Sequence, residues 1–388
     1  MTERSRSTTR VLEGRRVAEV LATSTGGVGT HVRSVLPALG AAGAALRVCG
    51  PRETQALFDF TTAGADFRAV GISAGLDPVA DGRAVLALRR ATTGADLVHA
   101  HGLRAGLVAA AALAADRGGA RRPLVLSLHN ALPEGGGLRH TVLQAAERAT
   151  VRRADMVLAA SADLADNALA LGGRDVRVAP VSAPPLPPPL RPRPEVRAAL
   201  GLDDALRPLV LAVGRLHPQK GYDVLLDAAA RWARGPVDPL VVVAGDGPLQ
   251  QHLQQRIDTE GLPVRLLGRR SDVADLLSAA DVVALPSTWE ARSLTAQEAL
   301  RSGVPLVATR VGGLPELVGD AAVLVPPGDA DALAREVTAV LGDPGRSAEL
   351  SRRGRAQAAR WPDEAATARQ LVAVYRELLG PPADRPQP

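Results

Sequence analysis

Short apolar segments alternate with longer helical segments along nearly the whole chain, first from residue 16 to about residue 181 and again from residue 208. Buried parallel strands are continuous apolar runs, and helical crossovers connect them. The alternation therefore predicts an α/β fold of doubly wound parallel sheets covered on both faces. The predicted strands are Val17 to Leu21, Leu46 to Cys49, Leu97 to Ala100, Leu124 to Leu128, Met156 to Ala159, Val176 to Val178, Pro208 to Val213, Leu240 to Ala244, Val264 to Leu267, Val282 to Leu285, Val304 to Ala308 and Ala322 to Val325.

A proline-rich segment separates the two series of strands. Eight of the fifteen residues 180–194 are proline, which favours a stiff, extended connector that cannot join a sheet. A ligand for an SH3-like partner is the alternative use of such a run. The predicted organisation is a disordered tail (1–15), a first Rossmann-like domain (16–183), a linker (184–196), a second Rossmann-like domain (197–360) and a C-terminal helix (361–380).

Composition argues against several classes of protein. One cysteine, Cys49, excludes a disulfide framework and a cysteine-built zinc site, and aromatic residues at 2% offer no stacking platform for single-stranded nucleic acid. No apolar run is long enough for a transmembrane helix, and the polar start lacks the apolar core of a secretory signal. We expect a cytoplasmic protein without a nucleic-acid partner. Its net charge of +5 favours anionic small molecules, or a weak contact with the inner face of a membrane.

Five polar or glycine-rich loops follow strands of the second series. In an open parallel sheet, ligands bind where the carboxyl ends of the strands, and hence such loops, come together. Five loops on one rim predict a site for a polar, phosphorylated ligand. The loops are Gly214 to Gly221, Gly245 to Pro248, Gly268 to Arg270, Pro286 to Glu290 and Val311 to Glu316.

Charged residues in these loops suggest what the site binds. Arg215 and Lys220 would supply positive charge to a diphosphate, and Lys220 is the only lysine in a chain that otherwise uses arginine. Seven residues separate Glu290 from Glu298, and a helix beginning near Ser293 would aim the free N–H groups of residues 293–296 at an anion. The two carboxylates would accept hydrogen bonds from hydroxyls, one from a ribose and the other from a transferred hexose.

The first series carries a glycine turn and several histidines. Gly27 lies in a Gly-Gly-Val-Gly turn that lets the backbone approach a phosphate or a sugar, although its spacing is not that of the dinucleotide fingerprint. His99 and His101 end one strand and His129 the next; each is either a structural hydrogen-bonding group or part of a site. The chain has no P-loop lysine motif, serine-hydrolase elbow or zinc-protease helix.

Together, these motifs resemble the retaining glycosyltransferases of family 4. That family has the GT-B fold, in which two Rossmann-like domains face a central cleft and a C-terminal helix crosses back to the first domain. The resemblance is most specific from Val213 to Gly328. It rests on Gly-Arg-Leu-X-Pro-X-Lys-Gly, Gly-Asp-Gly-Pro, Pro-Ser-X-X-Glu, Ala-Leu-Arg-Ser-Gly-Val-Pro-Leu-Val-Ala-Thr, Gly-Gly-Leu-Pro-Glu, Gly-Gly-Val-Gly-Thr-His and His-Ala-His.

The resemblance implies transfer of a hexosyl unit from a nucleotide diphosphate sugar to an acceptor hydroxyl, without a metal or other cofactor. The second domain would bind the donor, and the first an acceptor that the sequence does not name. By position, the resemblance implies that Arg215 and Lys220 bind the diphosphate. It likewise implies that Glu298 binds the ribose and that Glu290 binds the sugar hydroxyls. His101 would lie beside the anomeric centre. Backbone N–H groups of Gly27, Ser293 and Leu294 would assist at the phosphates.

Two departures from the family pattern keep alternatives open. Arg292 stands where many relatives have phenylalanine, which bears on the choice of sugar, and Val181 to Pro184 replaces an Asn-Gly turn before the linker. The alternatives are another GT-B enzyme, such as a nucleotide-sugar epimerase or a glycan phosphorylase, and a non-catalytic sugar-nucleotide-binding protein. The last predicts nucleotide binding without sugar release.

Overall fold

The computed structural model describes residues 10–73, 75, 77–114, 121–132, 135–202 and 207–380. The chain forms two compact units. One contains the chain up to Ser182 together with the segment from Pro362 onward, and the other runs from Ala183 to Trp361. Each unit is built on one parallel sheet, so the predicted α/β class with two doubly wound domains is confirmed.

The first unit has a seven-stranded parallel sheet in the order β3-β2-β1-β4-β5-β6-β7. Its central strands β4, β5 and β6 are buried along their whole length, as expected of apolar runs covered on both faces. Its elements are β1 (Arg16–Leu21), α1 (Gly27–Ala41), β2 (Ala45–Gly50), α2 (Arg52–Phe58), β3 (Asp66–Ala69), α3 (Pro78–Ala91), β4 (Leu97–His101), α4 (Leu103–Ala114), β5 (Leu124–Leu128), α5 (Leu138–Arg153), β6 (Met156–Ala159), α6 (Ala162–Ala170) and β7 (Val176–Val178).

The second unit has a six-stranded parallel sheet in the order β10-β9-β8-β11-β12-β13. Apolar side chains of its helices and strands fill a core on each side of this sheet. Its elements are α7 (Arg193–Ala199), β8 (Leu209–Val213), α8 (Tyr222–Trp232), β9 (Leu240–Ala244), α9 (Gln250–Glu260), β10 (Val264–Leu266), α10 (Val273–Ala279), β11 (Val282–Leu285), α11 (Leu294–Ser302), β12 (Leu306–Thr309), α12 (Leu314–Val318), β13 (Val323–Val325), α13 (Ala330–Gly342) and α14 (Pro344–Ala358).

From Ala183 onward, the proline-rich segment belongs to the second unit rather than standing apart as a linker. The Asp275 carboxylate on α10 accepts hydrogen bonds from the backbone N–H groups of Leu190 and Arg191, at 2.7 and 3.3 Å, and from the Arg191 guanidinium at 2.9 Å. Helix α7 begins at Arg193, inside the range predicted as linker. Anchoring of the backbone by one buried carboxylate explains why an extended segment remains attached to this unit.

The start of the described chain also differs from the prediction of a disordered tail over residues 1–15. Leu12 is buried in the first unit's core, and its N–H donates to the carbonyl of Ala42 at 2.8 Å. Burial of this apolar side chain fixes the turn that precedes β1. Residues 1–9, where the rest of the predicted tail falls, lie outside the described residues.

The last helix, α15 (Glu364–Leu379), packs against the first unit. Leu371, Val374 and Tyr375 on this helix are buried in the same core as β1 and α1. A bidentate ion pair joins Arg177 on β7 to Glu377, with N–O distances of 2.6 and 2.7 Å. No helix in the described part of the chain is both long and apolar enough to cross a membrane.

The strand order reverses between β1 and β4 in the first sheet and between β8 and β11 in the second. At such a reversal the loops on the two sides diverge and leave a crevice beyond the carboxyl ends of the strands. The candidate site residues predicted from the sequence follow these four strands or end them.

Candidate active site

In the second unit, the loops after β8 and β11 meet at the reversal point of the sheet. The carbonyl oxygen of Gln219 accepts a hydrogen bond from the N–H of Thr288 at 2.8 Å, and the Gln219 side chain donates to the carbonyl of Trp289 at 2.8 Å. These bonds bring the loop that carries Arg215 and Lys220 against the loop that carries Glu290. Further backbone hydrogen bonds, each of 2.8 Å, link the other three predicted loops to these two: Leu216 donates to Asp246, Gly245 to Gly268 and Gly313 to Glu290.

Two glycines permit the close approach of backbone around the Glu290 loop. Gly221 has φ +64°, and a Cβ atom there would lie 2.1 Å from the carbonyl oxygen of Pro286. Gly312 has φ +48°, and a Cβ atom there would lie 2.1 Å from the carbonyl oxygen of Glu290. Both the left-handed conformation and the contact require glycine. The glycines after β8 and β12 therefore hold the loop after β11 from two sides.

Glu290 forms the centre of a polar cluster in this rim. Its Oε1 accepts hydrogen bonds from the Lys220 ammonium at 2.5 Å and from the Ser287 hydroxyl at 2.7 Å. The Glu290 side chain is buried, with 8% of its area exposed, whereas 21% of the Lys220 side chain is exposed. In the described part of the chain no hydrogen bond uses Oε2. The structure therefore brings together the predicted Lys220 and Glu290, and leaves one carboxylate oxygen for a ligand.

Arg215 extends from the end of β8 without an ion-pair partner among the described residues, and its side chain is exposed. The neighbouring His217 caps the 3₁₀ turn Pro218–Lys220 by accepting a hydrogen bond from Gln219. Burial, with repulsion from Arg215 and Lys220, lowers the pKa of His217. A neutral histidine thus adds no charge to the two cations that the loop offers to an anion.

Helix α11 begins at Leu294 with Ser293 as its N-cap, and both lie directly beyond the Glu290 loop. The Ser293 hydroxyl accepts a hydrogen bond from the N–H of Ala296 at 3.3 Å. The expectation that residues 293–296 all offer free N–H groups is therefore wrong for Ala296, because a serine N-cap satisfies one donor of the first turn. In the described structure the N–H groups of Ser293 and Leu294 have no intramolecular acceptor.

Glu298 lies on α11, one turn beyond its N-terminus. Burial raises the pKa of its carboxyl to about 7, and the nearby Arg301 opposes the rise only in part. The described residues supply no hydrogen-bond donor to this carboxylate. A partly buried carboxylate that lacks a protein partner is suited to accept hydrogen bonds from a ligand.

Arg292, the departure noted in the sequence, lies beside Trp361, with its guanidinium carbon 5.9 Å from the ring centroid. Its Nε is buried and has no hydrogen-bond partner among the residues described here. Burial lowers the pKa of this guanidinium, and Glu316 compensates only in part. Arg292 is therefore an incompletely satisfied cation at the edge of the Glu290 loop.

In the first unit, Gly27 and His101 lie at the reversal point between β1 and β4. Gly27 is the first residue of α1, which follows β1. Strand β4 continues to His101, so strand alternation places the His99 and His101 side chains on the same face, with ring centroids 4.1 Å apart. The sequence alone did not decide whether these two side chains share a face.

Two residues that the sequence analysis missed hold His101. Glu19 on β1 is only 1% exposed, and its Oε2 lies 2.8 Å from Nε2 of His101. Tyr375 on α15 donates its hydroxyl proton to Oε1 of Glu19 at 2.8 Å. An acidic residue inside the apolar strand Val17 to Leu21 was the available signal for Glu19. No local signal pointed to Tyr375, because this residue lies 356 residues from Glu19 along the chain.

Burial dominates the electrostatics of this histidine cluster. It lowers the pKa of His31 to about 3 and of His101 to about 4, with repulsion between the imidazoles as the next cause, and it lowers the pKa of His129 as well. Burial opposes ionisation of Glu19, but the charge and hydrogen bonds of His99 and His101 prevail, so its pKa falls far below the usual range. The cluster thus pairs an ionised carboxylate with neutral His31, His101 and His129 at neutral pH.

Glu19, His99 and His101 also form a group whose potential metal-ligating atoms all lie within 4.8 Å of one another. These atoms are already engaged. Glu19 binds His101 and Tyr375, and the two nitrogens of His99 lie 2.6 Å from the Tyr375 hydroxyl and 2.8 Å from the Ser127 hydroxyl. The arrangement is a closed hydrogen-bond network rather than an open set of ligands.

Both halves of the chain match known family models. Residues 26–184 match the model of a glycosyl transferase 4-like domain, and residues 193–357 match that of the glycosyl transferases group 1. The two matches together include every candidate site residue from Gly27 to Glu298.

Curated relatives and solved structures agree with these matches. The alpha-D-kanosaminyltransferase of Streptomyces kanamyceticus is 35% identical over 196 residues, 48% of this chain, so the chain spans about half (49%) of that relative's length. Crystalline HepE of Anabaena, in complex with UDP and glucose, has a TM-score of 0.79 at 23% identity and covers 94% of this chain and 100% of its own. The structural likeness confirms the predicted GT-B fold.

A longer match decides the family. D-inositol 3-phosphate glycosyltransferase 1 of Catenulispora acidiphila is 35% identical over 317 residues, which cover 75% of this chain and 74% of that protein. Identity at this level over three quarters of both chains, with the model matches in both units, extends beyond a shared fold. The chain belongs to the group 1 family of glycosyl transferases.

Proposed function

We propose that the chain transfers a hexosyl unit from a nucleotide diphosphate sugar to an acceptor hydroxyl, with retention of the anomeric configuration and without a metal. The observation that supports this most directly is the rim of the second unit. There the cations Arg215 and Lys220, the free N–H groups of α11 and the carboxylates Glu290 and Glu298 follow adjacent strands. HepE, the structural neighbour, was crystallised with UDP and glucose, a ligand pair of this chemistry.

Each group at this rim has a distinct role in binding the donor. Arg215 and Lys220 neutralise the diphosphate, assisted by the N–H groups of Ser293 and Leu294 at the positive end of α11. The Glu298 carboxylate accepts hydrogen bonds from the ribose hydroxyls. Glu290, whose Oε1 is held by Lys220 and Ser287, presents Oε2 to the hydroxyls of the sugar.

The same groups favour departure of the nucleotide. As the bond between the anomeric carbon and the diphosphate oxygen breaks, negative charge grows on the phosphate, and fixed cations and helix N–H groups stabilise it. The acceptor oxygen forms the new bond on the same face of the sugar, and its proton passes to the leaving phosphate. We propose that the first unit binds the acceptor and that its His101 and Gly27 take part in the transfer.

The proposal includes where the enzyme works. We infer a cytoplasmic enzyme that acts on a small or lipid-linked acceptor, with weak contact to the inner face of the membrane. The net charge of +5 is consistent with attraction to anionic lipid headgroups. Sedimentation with anionic and neutral vesicles measures this contact directly.

A thermal-shift series tests the donor site. We expect UDP, GDP or ADP to raise Tm equally in EDTA and in magnesium, because a ligand that binds the native state stabilises it. Arg215→Ala should abolish most of the shift while leaving the Tm of the free protein unchanged. The matched control is Arg234→Ala, which removes another exposed arginine, just after α8. No shift with any nucleotide would refute the donor site.

Sugar release distinguishes the enzyme from a non-catalytic nucleotide-binding protein. A panel of nucleotide sugars carrying the preferred base should give slow hydrolysis or transfer, detected as released nucleotide. Nucleotide binding without any release, across the panel and with added acceptors, would favour the binding protein.

A further inference from the structure

A chain of hydrogen bonds in the first unit connects β1, β4 and α15. Glu19 lies beside His99 in the register of β1 and β4, and His101 lies beside Ser127 in the register of β4 and β5. Strand alternation puts all four side chains on one face of the sheet. Tyr375 of α15 covers that face and is fully buried. The polar groups are therefore enclosed and can satisfy one another only in specific directions.

The positions of several protons follow from the donors and acceptors available. The Tyr375 hydroxyl has one proton, which it donates to Glu19, so Nδ1–H of His99 donates to the Tyr375 oxygen at 2.6 Å. Ionised Glu19 can only accept, so the 2.8 Å contact requires a proton on Nε2 of His101. Neutral His101 then carries no proton on Nδ1, and that nitrogen is an acceptor.

The acceptor nitrogen of His101 faces His129. Nδ1 of His101 lies 3.3 Å from Nε2 of His129, a long contact beside the 2.8 Å bond to Glu19. His129 is half-buried at the end of β5, whereas His101 is buried. A substrate hydroxyl can replace so weak a donor at Nδ1, while the Glu19 side of the ring stays fixed.

We propose that Glu19, held by Tyr375, is a positioning residue that fixes His101 as the Nε2–H tautomer and presents its Nδ1 as the acceptor for a substrate hydroxyl. The role of His101 beside the sugar rests on the proposed function, but the tautomer does not. A carboxylate placed inside an apolar strand destabilises the fold unless hydrogen bonds compensate its burial. Here those bonds go to the proposed sugar-positioning histidine and its neighbours.

NMR of the ¹⁵N-histidine-labelled full chain tests the tautomer without turnover. The His101 ring should show a protonated Nε2, with its proton far downfield and slow to exchange, and an unprotonated Nδ1. Glu19→Gln should shift that proton strongly upfield, and Tyr375→Phe should produce a smaller shift in the same direction. Ser127→Ala, which removes a bond to His99 only, is the matched control and should leave the His101 signal in place.

Kinetics then show whether Glu19 acts through His101. Glu19→Gln should lower kcat by about ten- to a hundredfold with little change in donor KM, because a misplaced positioning group affects the reacting geometry. In a His101→Ala background the same substitution should have almost no further effect. Ser127→Ala should keep kcat within about twofold.

Several results would overturn the proposal. They are a proton on Nδ1 of His101 in the wild type, an unchanged kcat in folded Glu19→Gln, or equal losses with and without the His101 side chain. If Glu19→Gln fails to fold, Tyr375→Phe provides the same comparison with the loss of a single oxygen atom. Failure of the proposed function would appear separately, as no nucleotide-dependent thermal shift with the tautomer still fixed.

Discussion

Donor affinity should depend on pH through Glu298. In the free protein, burial raises the pKa of this carboxyl to about 7. Ribose hydroxyls that donate to the carboxylate favour its ionised form, so binding should return the pKa toward 4.5, the ordinary value for glutamate. In the proposed donor site, protonated Glu298 must therefore lose its proton before its carboxylate can accept hydrogen bonds from the ribose, and the donor should bind more tightly as pH rises.

The expected size of the effect follows from the pKa. Near pH 6 roughly one molecule in ten carries ionised Glu298, against about nine in ten at pH 8, so Kd should fall about tenfold, or about 1.4 kcal/mol, over that interval. Stability of the free protein should change in the opposite direction. A carboxyl whose pKa is raised by folding binds its proton more tightly in the folded state, so stability decreases between about pH 4.5 and 7, by about 3 kcal/mol at most.

Calorimetric titration with a nucleotide sugar measures this dependence. The diphosphate of a nucleotide sugar is esterified at both ends, whereas the terminal phosphate of a free nucleoside diphosphate titrates near pH 6 and would add its own slope. Glu298→Gln is the matched control, because it keeps the shape of the side chain and removes the titration. His217 contributes equally to both proteins. A slope in Glu298→Gln equal to that of the wild type would refute the assignment.

Two further substitutions test the frame of the site. Gly312→Ala should lower stability by about 2 kcal/mol or more and weaken donor binding, because a Cβ atom there meets the carbonyl of Glu290 in a left-handed backbone. The control is Gly328→Ala, since Gly328 also has a positive φ but a Cβ atom there would have no atom within 4 Å. Equal losses of stability for the two variants in chemical denaturation would contradict the packing argument. Arg292→Met should raise stability by about 1 kcal/mol, because it removes a buried nitrogen without a partner; a lower Tm in thermal unfolding would show that the guanidinium stabilises this loop.

The strands could be predicted because most of them are buried on both faces and are therefore apolar throughout. Five of the predicted strands have the bounds that the structure gives them: Leu124 to Leu128, Met156 to Ala159, Val176 to Val178, Leu240 to Ala244 and Val282 to Leu285. Strand β3 was missed, since the polar sequence Asp66–Ala69 lies at the edge of the sheet and is mostly exposed. The hydrophobic pattern of a sequence indicates which residues are buried, and an exposed edge strand has few buried residues to produce such a pattern.

The residues of the proposed donor site could be predicted from the sequence, but the contacts between them could not. Loop motifs placed Lys220 and Glu290 on one rim, because the carboxyl ends of parallel strands share an edge. The salt bridge between them depends on how the glycines let two loops approach, and that requires three-dimensional contacts. Glu19 and Tyr375 show the same limit, since residues at opposite ends of a chain leave no shared local pattern.

The discontinuity of the first unit has a consequence for synthesis. Its last helix, α15, which supplies Tyr375 and several core side chains, is made only after the whole of the second unit. At about 5–20 residues per second, the stretch from Ala183 to Trp361 takes about 10–35 s to emerge from the ribosome. During that interval the nascent first half exposes the apolar surface that α15 later covers, and Glu19 lacks its tyrosine. A chaperone that binds this surface during translation would protect the half-finished enzyme from aggregation.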